Sequence, residues 1–264
     1  MSNDYFQFKQ FTIHQRRTAM KVGTDGVLIG ACAGRRLQTA SHAVRPVRRI
    51  LDVGCGTGVI ALMMAQRFPD AHVVGVEIDA EAAAEARDNV KASPFADRVE
   101  VVNMPFQEYR ERYVNVWGQE SREENVEACG EGYDIVVSNP PFFDNSLTNP
   151  DAQRALARHT TTLPFRTLVE GTFALLRPGG TFCVIVPAEV LKAFSAECLL
   201  TGFTLQECVA VKTVERKAAR RYMLTYCKPH ATSLPSPIEM TVCLQSPDGS
   251  RSAWYADVMR DFYL

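Results

Sequence analysis

The sequence lacks the features of a membrane or secreted protein. No stretch approaches the roughly 18 consecutive apolar residues that a membrane-spanning helix needs, and the N-terminal residues carry Asp4 and no signal-peptide pattern. The eight cysteines include no Cys-x-x-Cys pair, and most lie among apolar neighbours, as reduced core residues do. We therefore expect a cytoplasmic protein with no membrane segment and no disulfide framework.

The sequence also lacks a metal-ligand pattern and an excess of charge of one sign. The five histidines have no ligand spacing, so we expect no metal site. The formal net charge is only −1, but residues 1–49 carry nine Lys or Arg against two Asp, and residues 211–230 carry six against one Glu. The acidic residues concentrate instead in 107–134. If the two basic segments share a face, they attract a polyanion; otherwise they are scattered solvated charges.

Apolar runs typical of buried strands alternate with helical patterns through most of the chain. The predicted core strands are 49–53, 72–77, 98–103, 133–138 and 181–186, and the predicted helices are 57–68, 80–91, 165–176 and 188–200. This alternation predicts an α/β fold with a Rossmann-like, doubly wound, mostly parallel sheet. The segments 203–211 and 221–227 have no full helix between them, which favours an antiparallel edge hairpin and a total of seven strands.

We expect one domain over residues 1–264. Its predicted parts are an N-terminal extension at 1–48, a Rossmann-like core at 49–228 and a C-terminal extension at 229–264. Residues 118–132 are acidic and weakly patterned, which predicts an inserted surface loop to which we assign no function.

A glycine-rich segment, D-V-G-C-G-T-G at 52–58, directly follows the first core strand and opens a helix. Glycines at 54, 56 and 58 let the backbone approach a ligand without a Cβ clash. Glu77 closes the next strand, where a carboxylate can accept hydrogen bonds from both hydroxyls of a ribose. Strand, loop, helix and acid in this order predict a nucleotide-type cofactor site.

A second motif, Asn139-Pro140-Pro141-Phe142, follows the fourth core strand, at the edge where doubly wound proteins bind ligands. The prolines stiffen the turn and hold the Asn139 side-chain oxygen and the Pro140 carbonyl in set positions. These two oxygens can accept hydrogen bonds from the two N–H groups of an exocyclic amine such as adenine N6. They thereby favour the pyramidal nitrogen of the transition state. Phe142 can stack on a flipped base. The alternative is a proline-rich turn that merely ends a strand.

Both motifs resemble those of known methyltransferases. The loop resembles motif I of class I S-adenosylmethionine methyltransferases, and the N-P-P-F motif resembles that of the amino-group methyltransferases. Four further segments are similar to the bacterial valine-tRNA adenine-N6 methyltransferases, which modify the adenine beside the anticodon: 8–11, 20–31 (M-K-V-G-T-D-G-V-L-I-G-A), 157–159 and 261–264. The resemblance covers nearly the whole chain.

This resemblance implies S-adenosylmethionine as cofactor, a tRNA substrate and no obligate protein partner. It implies that Thr24 and Asp25 lie near the amino-acid end of the cofactor, so that the N-terminal extension contributes to the site. Either Asn103 or Met104 would contact the cofactor adenine. Many relatives carry Asp where this chain has Asn103. The implied cofactor-binding residues are Thr24, Asp25, Asp52, Gly54, Gly56, Gly58, Glu77, Ile78, Asn103, Met104 and Asn139. The implied catalytic residues are Asn139, Pro140 and Phe142, and Arg158 and His159 each have either a substrate contact or a structural role.

Several other functions remain open from the residues alone. Guanine N2 of ribosomal RNA, glutamine N5 of a release factor and adenine in DNA require the same amine chemistry, although we find no separate DNA-recognition domain. A nicotinamide dehydrogenase requires a third glycine where the chain has Val59. A non-catalytic RNA-binding module is the alternative from another class, and the intact N-P-P-F motif argues against it.

Overall fold

The computed structural model of the chain describes residues 3–18, 20–39, 46–120, 132–141, 163–230 and 236–264. An N-terminal hairpin of β1 (Tyr5–Gln7) and β2 (Thr12–His14) precedes the main sheet. The strands of that sheet are β3 (Arg49–Val53), β4 (His72–Glu77), β5 (Val99–Asn103), β6 (Tyr133–Ser138), β7 (Leu176–Pro187), β8 (Thr204–Lys212), β9 (Arg221–Cys227) and β10 (Ile238–Cys243). The helices are α1 (Thr24–Cys32), α2 (Arg35–Thr39), α3 (Val59–Arg67), α4 (Ala80–Lys91), α5 (Phe106–Glu120), α6 (Phe165–Leu175), α7 (Leu191–Thr201) and α8 (Ala253–Met259).

The main sheet is mixed but almost entirely parallel. Its spatial order is β10-β8-β9-β7-β6-β3-β4-β5, and of these described strands only β9 runs against the others. The strand order changes direction between β3 and β6, which is the switch point where doubly wound sheets bind their ligands.

Helices cover both faces of the sheet. Alternate residues of each strand point to opposite faces, and both sets are apolar, so an apolar core forms on each side. One apolar core lies between the sheet and α1, α3, α4 and α8, and it includes Ile50, Val73 and Ile135. The other lies between the sheet and α5, α6 and α7, and it includes Leu51 and Val136. The predicted Rossmann-like, doubly wound fold is confirmed.

The structure corrects the predicted sheet in two places. An eighth strand, β10, pairs in parallel with β8, so the reversed strand β9 lies inside the sheet and the β8–β9 hairpin is not its edge. The strand predicted at 181–186 begins earlier, at Leu176, because Leu176 already pairs with Tyr133 of β6. The Pro178-Gly179-Gly180 segment therefore lies within β7, where Gly179 has a φ of 78°. The register shift between β6 and β7 accommodates the added residues.

The helix α1 was not predicted from the sequence, since its two glycines disguise the helical pattern. Gly30 shows why a glycine is needed: a Cβ there would lie 2.7 Å from Met63 Sδ of α3. Its small size therefore lets α1 pack closely on α3 and reach the carboxyl edge of the sheet.

The described part of the chain contains neither a membrane-spanning helix nor a metal-ligand cluster. Within the described residues, no helix is long and apolar enough to cross a membrane, and no group of three or more His, Cys, Asp or Glu side chains is arranged to hold a metal ion. Seven of the eight cysteines fall in the described part of the chain, and all seven are unpaired.

Candidate active site

The predicted site residues converge on the carboxyl edge of four adjacent strands. Val53 at the end of β3 pairs with Val76 of β4 on one side and with Ser138 of β6 on the other. Glu77 at the end of β4 pairs with Asn103 at the end of β5. The structure therefore brings the glycine loop, Glu77, Asn103 and Asn139 to one edge of the sheet.

The glycine loop has open space on one side of its backbone. Gly54 has a φ of 74° and Gly56 a φ of 54°, in the left-handed region that favours glycine. A Cβ at either position would meet nothing within 4 Å, so the loop backbone is bare on that side. On the other side the Cys55 side chain is buried, and its backbone N–H and that of Gly54 donate to the Val76 carbonyl at 3.1 and 2.9 Å.

The third glycine of the loop has a different task. Gly58 has a φ of 82° and directly precedes α3. A Cβ there would lie 3.4 Å from the Ala86 Cβ of α4. Gly58 therefore allows the loop to pack against α4 while the chain turns into α3.

The carboxylate of Glu77 is held by the backbone on both of its oxygens. Oε2 accepts a hydrogen bond from the Gly56 N–H at 2.8 Å, and Oε1 accepts one from the Asp79 N–H at 2.9 Å. Because an ionised carboxylate offers about four lone-pair sites, both oxygens can accept further bonds. The neighbouring Ile78 side chain is 45% exposed, which places an apolar surface beside this carboxylate.

The residues after β5 support the backbone that follows β4. The Asn103 side-chain Nδ2 donates to the carbonyls of Glu77 and Ile78 at 2.9 and 3.1 Å. The Met104 backbone N–H donates to the same Glu77 carbonyl at 3.1 Å, and its side chain packs against the core. Asn103 thus fixes the conformation of the segment that carries Ile78.

Asn139 follows β6 next to the glycine loop. The preceding residue, Ser138, is fully buried, and its hydroxyl donates to the Val53 carbonyl at 2.8 Å, which joins the ends of β6 and β3. Asn139 is half-buried, Pro140 is buried and Pro141 is exposed. The remaining predicted residues of this region, Phe142, Arg158 and His159, lie outside the described residues.

The first turn of α1 lies against Asn139. A Cβ on Gly26 would lie 3.9 Å from the Asn139 Nδ2, an ordinary van der Waals distance, so the helix borders this amide group. Thr24, the first residue of α1, is exposed, and Asp25 makes an ion pair, its Oδ2 lying 2.6 Å from the Nε of Arg221. This pair joins the two basic segments, 1–49 and 211–230, at the carboxyl edge.

Asp52 has a setting unlike that of the other predicted cofactor residues. Its side chain is fully buried, and neither carboxylate oxygen has a well-formed hydrogen bond within the described part of the chain. Burial raises the pKa of Asp52 from 3.8 to about 8; the Ala61 N–H opposes this shift in part and the Glu77 charge adds to it. Any contribution of this side chain to a ligand would therefore pass through the loop backbone.

Comparison with known proteins first defines the class of this protein. The family model of the methyltransferase small domain matches residues 35–213. A crystal structure of a predicted O-methyltransferase from Agrobacterium tumefaciens has a TM-score of 0.60 at 18% identity, over 90% of this chain and 96% of that one, which shows a common fold. The chain belongs to the methyltransferase small-domain family, whose methyl donor is S-adenosylmethionine.

Similar curated proteins then define the particular family. A tRNA1(Val) (adenine(37)-N6)-methyltransferase of Bacteroides fragilis is 42% identical over 265 residues, 100% of this chain and 99% of the relative. One of Porphyromonas gingivalis is 38% identical over 266 residues, covering 100% and 96%. One of Bacteroides thetaiotaomicron is 44% identical over 191 residues, covering 72% and 69%. The chain belongs to the tRNA1(Val) (adenine(37)-N6)-methyltransferase family, as the resemblance predicted.

Three polar residues near the site were missed in the sequence. Arg221 was counted only as part of a basic segment, although it binds Asp25. Glu85 and Asn89 are almost fully buried on α4, with 3% and 0% exposure. A signal for them was present: they are one helical turn apart, on the face that otherwise carries Ala82, Ala86 and Val90.

Proposed function

We propose that this protein transfers a methyl group from S-adenosylmethionine to N6 of an adenine in tRNA, namely adenine 37 of a valine tRNA. The observation that carries the proposal is the position of Asn139 and Pro140, one strand away from an open glycine loop at the same sheet edge. The names of the relatives, tRNA1(Val) (adenine(37)-N6)-methyltransferase, supply the substrate. We propose a cytoplasmic location on the same basis, since tRNA is the substrate.

The residues at the sheet edge fit the cofactor. The bare backbone at Gly54 and Gly56 would receive its amino-acid part, because a side chain at either position would occupy the open space beside the loop. The Glu77 carboxylate, oriented by two backbone N–H groups, would accept hydrogen bonds from both ribose hydroxyls on its remaining lone pairs. Ile78 and Met104 would border the adenine. When bound, S-adenosylmethionine supplies a methyl group activated by a positively charged sulfur.

The chain's own contribution to catalysis would be to hold the target amine. The lone pair of adenine N6 is delocalised into the ring, so the free amine is a poor nucleophile. The Asn139 side-chain oxygen and the Pro140 carbonyl would each accept a hydrogen bond from one N–H of this amine. Together they would stabilise the pyramidal nitrogen of the transition state. Pro140 is buried and the end of β6 is tied to β3 through Ser138, so both acceptors lie on a rigid support.

A basic surface beside the site would bind the tRNA backbone. Arg16 and Lys21 are exposed before α1, and Arg216, Lys217 and Arg220 are exposed in the loop between β8 and β9. The Asp25–Arg221 ion pair joins the two segments that carry them. Contacts of this kind with phosphates supply affinity without reading the sequence.

The decisive experiment incubates the protein with labelled S-adenosylmethionine and total RNA from a strain that lacks it, followed by nucleoside mapping. We expect label in N6-methyladenosine at position 37 of valine tRNA. Label in N2-methylguanosine of ribosomal RNA, or only in a release factor added as an alternative substrate, would overturn the proposal.

A further inference from the structure

The chain from His14, the last residue of β2, to residue 18 is fastened along α4 by two buried polar side chains. Glu85 and Asn89 are 3% and 0% exposed, and both face this segment. Buried polar side chains are costly unless their hydrogen bonds are made. The hydrogen-bond partners of Glu85 and Asn89 therefore show which parts of the chain these two side chains fix in place.

Glu85 binds three consecutive backbone N–H groups. Its carboxylate accepts from Arg16 at 2.6 Å, from Arg17 at 3.1 Å on each oxygen, and from Thr18 at 3.2 Å. In the part of the chain that the structure describes, no Lys or Arg side chain is bonded to Glu85. Successive N–H groups that converge on one anion form a nest, and here the chain's own carboxylate occupies it.

Asn89 joins the same segment to the glycine loop. Its Oδ1 accepts from the His14 N–H at 2.8 Å, and its Nδ2 donates to the His14 carbonyl at 2.9 Å and to the Thr57 carbonyl at 3.0 Å. Glu85 thus touches only the N-terminal segment, whereas Asn89 touches that segment and the cofactor loop.

The fastened backbone presents cations to solvent. Gln15 closes the loop from inside, since its Oε1 accepts from the Val22 N–H at 2.8 Å. The side chains of Arg16 and Arg17 are 69% and 45% exposed and make surface ion pairs with Asp4 and Asp88. Exposed ion pairs of this kind are weak, so phosphates can displace the two acids.

We propose that Glu85 and Asn89 are positioning residues for tRNA: they hold residues 14–18 so that Arg16 and Arg17 meet the tRNA backbone in register with the glycine loop. This inference rests on the proposed function and deepens it. Substitutions of Glu85 and Asn89 should have different effects, because the two residues have different hydrogen-bond partners. Loss of the Glu85 contacts affects tRNA alone, while loss of the Asn89 contacts affects tRNA and cofactor together.

The test compares Glu85→Gln, Glu85→Asp and Asn89→Asp with Glu81→Gln, an exposed carboxylate on the same helix as the matched control. The measurements are KM and kcat for purified valine tRNA, the Kd of S-adenosylmethionine by calorimetry, and the thermal midpoint. We expect Glu85→Gln to raise the KM for tRNA about tenfold, since charge-assisted hydrogen bonds are lost, with kcat and the cofactor Kd unchanged. Glu85→Asp keeps the charge at shorter reach and should fall between Glu85→Gln and the unaltered protein.

Asn89→Asp should weaken both ligands, because its new oxygen faces the Thr57 and His14 carbonyls. If Asn89→Asp does not fold, the two Glu85 variants decide the question alone. A fall in thermal midpoint or kcat with an unaltered KM in Glu85→Gln would show a purely structural role and overturn the inference. If the unaltered protein does not methylate tRNA at all, the proposed function itself fails, which is a different outcome.

Discussion

The carboxylate of Glu77 accepts a hydrogen bond from the backbone N–H of Gly56 at 2.8 Å, which joins the end of β4 to the glycine loop after β3. A second bond, from the Asp79 N–H, holds the other oxygen. A carboxylate oriented from two sides does not have to be ordered when a ligand arrives, so less of the binding energy is lost. This arrangement is the basis for the cofactor site proposed above.

Glu77→Ala should therefore weaken S-adenosylmethionine binding strongly. Two charge-assisted hydrogen bonds to the ribose, of roughly 1.5–3 kcal/mol each, are removed, so we expect an affinity lower by about a hundredfold or more. Calorimetric titration measures this. Glu100→Ala, which removes an exposed carboxylate from the neighbouring strand β5, is the matched control and should leave the affinity unchanged. Unchanged affinity in Glu77→Ala would show that Glu77 is not a ribose ligand.

Gly56→Ala should separate the effect of backbone strain from the effect of filling the open space beside the glycine loop. Gly56 and Gly249 both have a positive φ, 54° and 84°, and a Cβ at either would meet nothing within 4 Å. Both alanine variants should lose about 1 kcal/mol of stability from the strained backbone. Only Gly56→Ala should also lose cofactor affinity, because its methyl group enters the proposed cofactor surface. Equal affinity in both variants would remove the loop from the site.

The basic surface can be tested by charge reversal. Arg16→Glu and Arg220→Glu should each weaken tRNA binding to a similar extent for different tRNAs, since phosphate contacts carry little sequence information. Binding of the unaltered protein should fall steeply as salt rises, and the slope of log affinity against log salt should be shallower in each variant. Binding that is insensitive to salt would exclude this surface as the docking site.

The buried Asp52 predicts a pH dependence of stability. Its pKa is raised to about 8 in the folded protein by burial, whereas the unfolded chain releases this proton near its ordinary value of 3.8. Between these values the folded state binds more protons, so raising the pH favours unfolding, by up to about 1.4 kcal/mol per unit. Denaturant titrations from pH 5 to 8 should show the free energy of unfolding falling more steeply in the unaltered protein than in Asp52→Asn. Parallel pH profiles would contradict an un-ionised buried Asp52.

The core of the fold was predictable because its elements carry strong local patterns. The predicted bounds of β3, β4, α4, β6 and β9 agree with the structure residue for residue. The strand β10 and the helix α1 were missed for different reasons. Apolar and polar residues alternate along β10 (Ile238, Met240 and Val242), but this strand is short, mostly exposed and lies beyond the alternating βα units, so the pattern was overlooked. The glycines of α1, by contrast, serve its packing on α3. The reason for glycine in α1 is a tertiary contact, which a local sequence pattern does not reveal.

The candidate site was predictable where strand ends and motifs coincide. The glycine loop, Glu77 and Asn139 were placed together because parallel strands bring their carboxyl ends to one edge. The partners Arg221 and Asp25 are separated by almost the whole core in sequence, and their pairing depends on the reversed strand β9. Hydrogen bonds over such separations follow from the folded topology and not from spacing along the chain.

The amine-holding role of Asn139 is the central claim, and single-turnover methylation with saturating cofactor and tRNA tests it most directly. Asn139→Ala removes one of two acceptors while the Pro140 carbonyl remains. We predict a rate constant lower by about 10²–10³, by analogy with the loss of one oxyanion-hole donor, with cofactor and tRNA affinities nearly unchanged in separate titrations. A normal rate, or a loss that is explained entirely by failure to bind cofactor, would contradict the account.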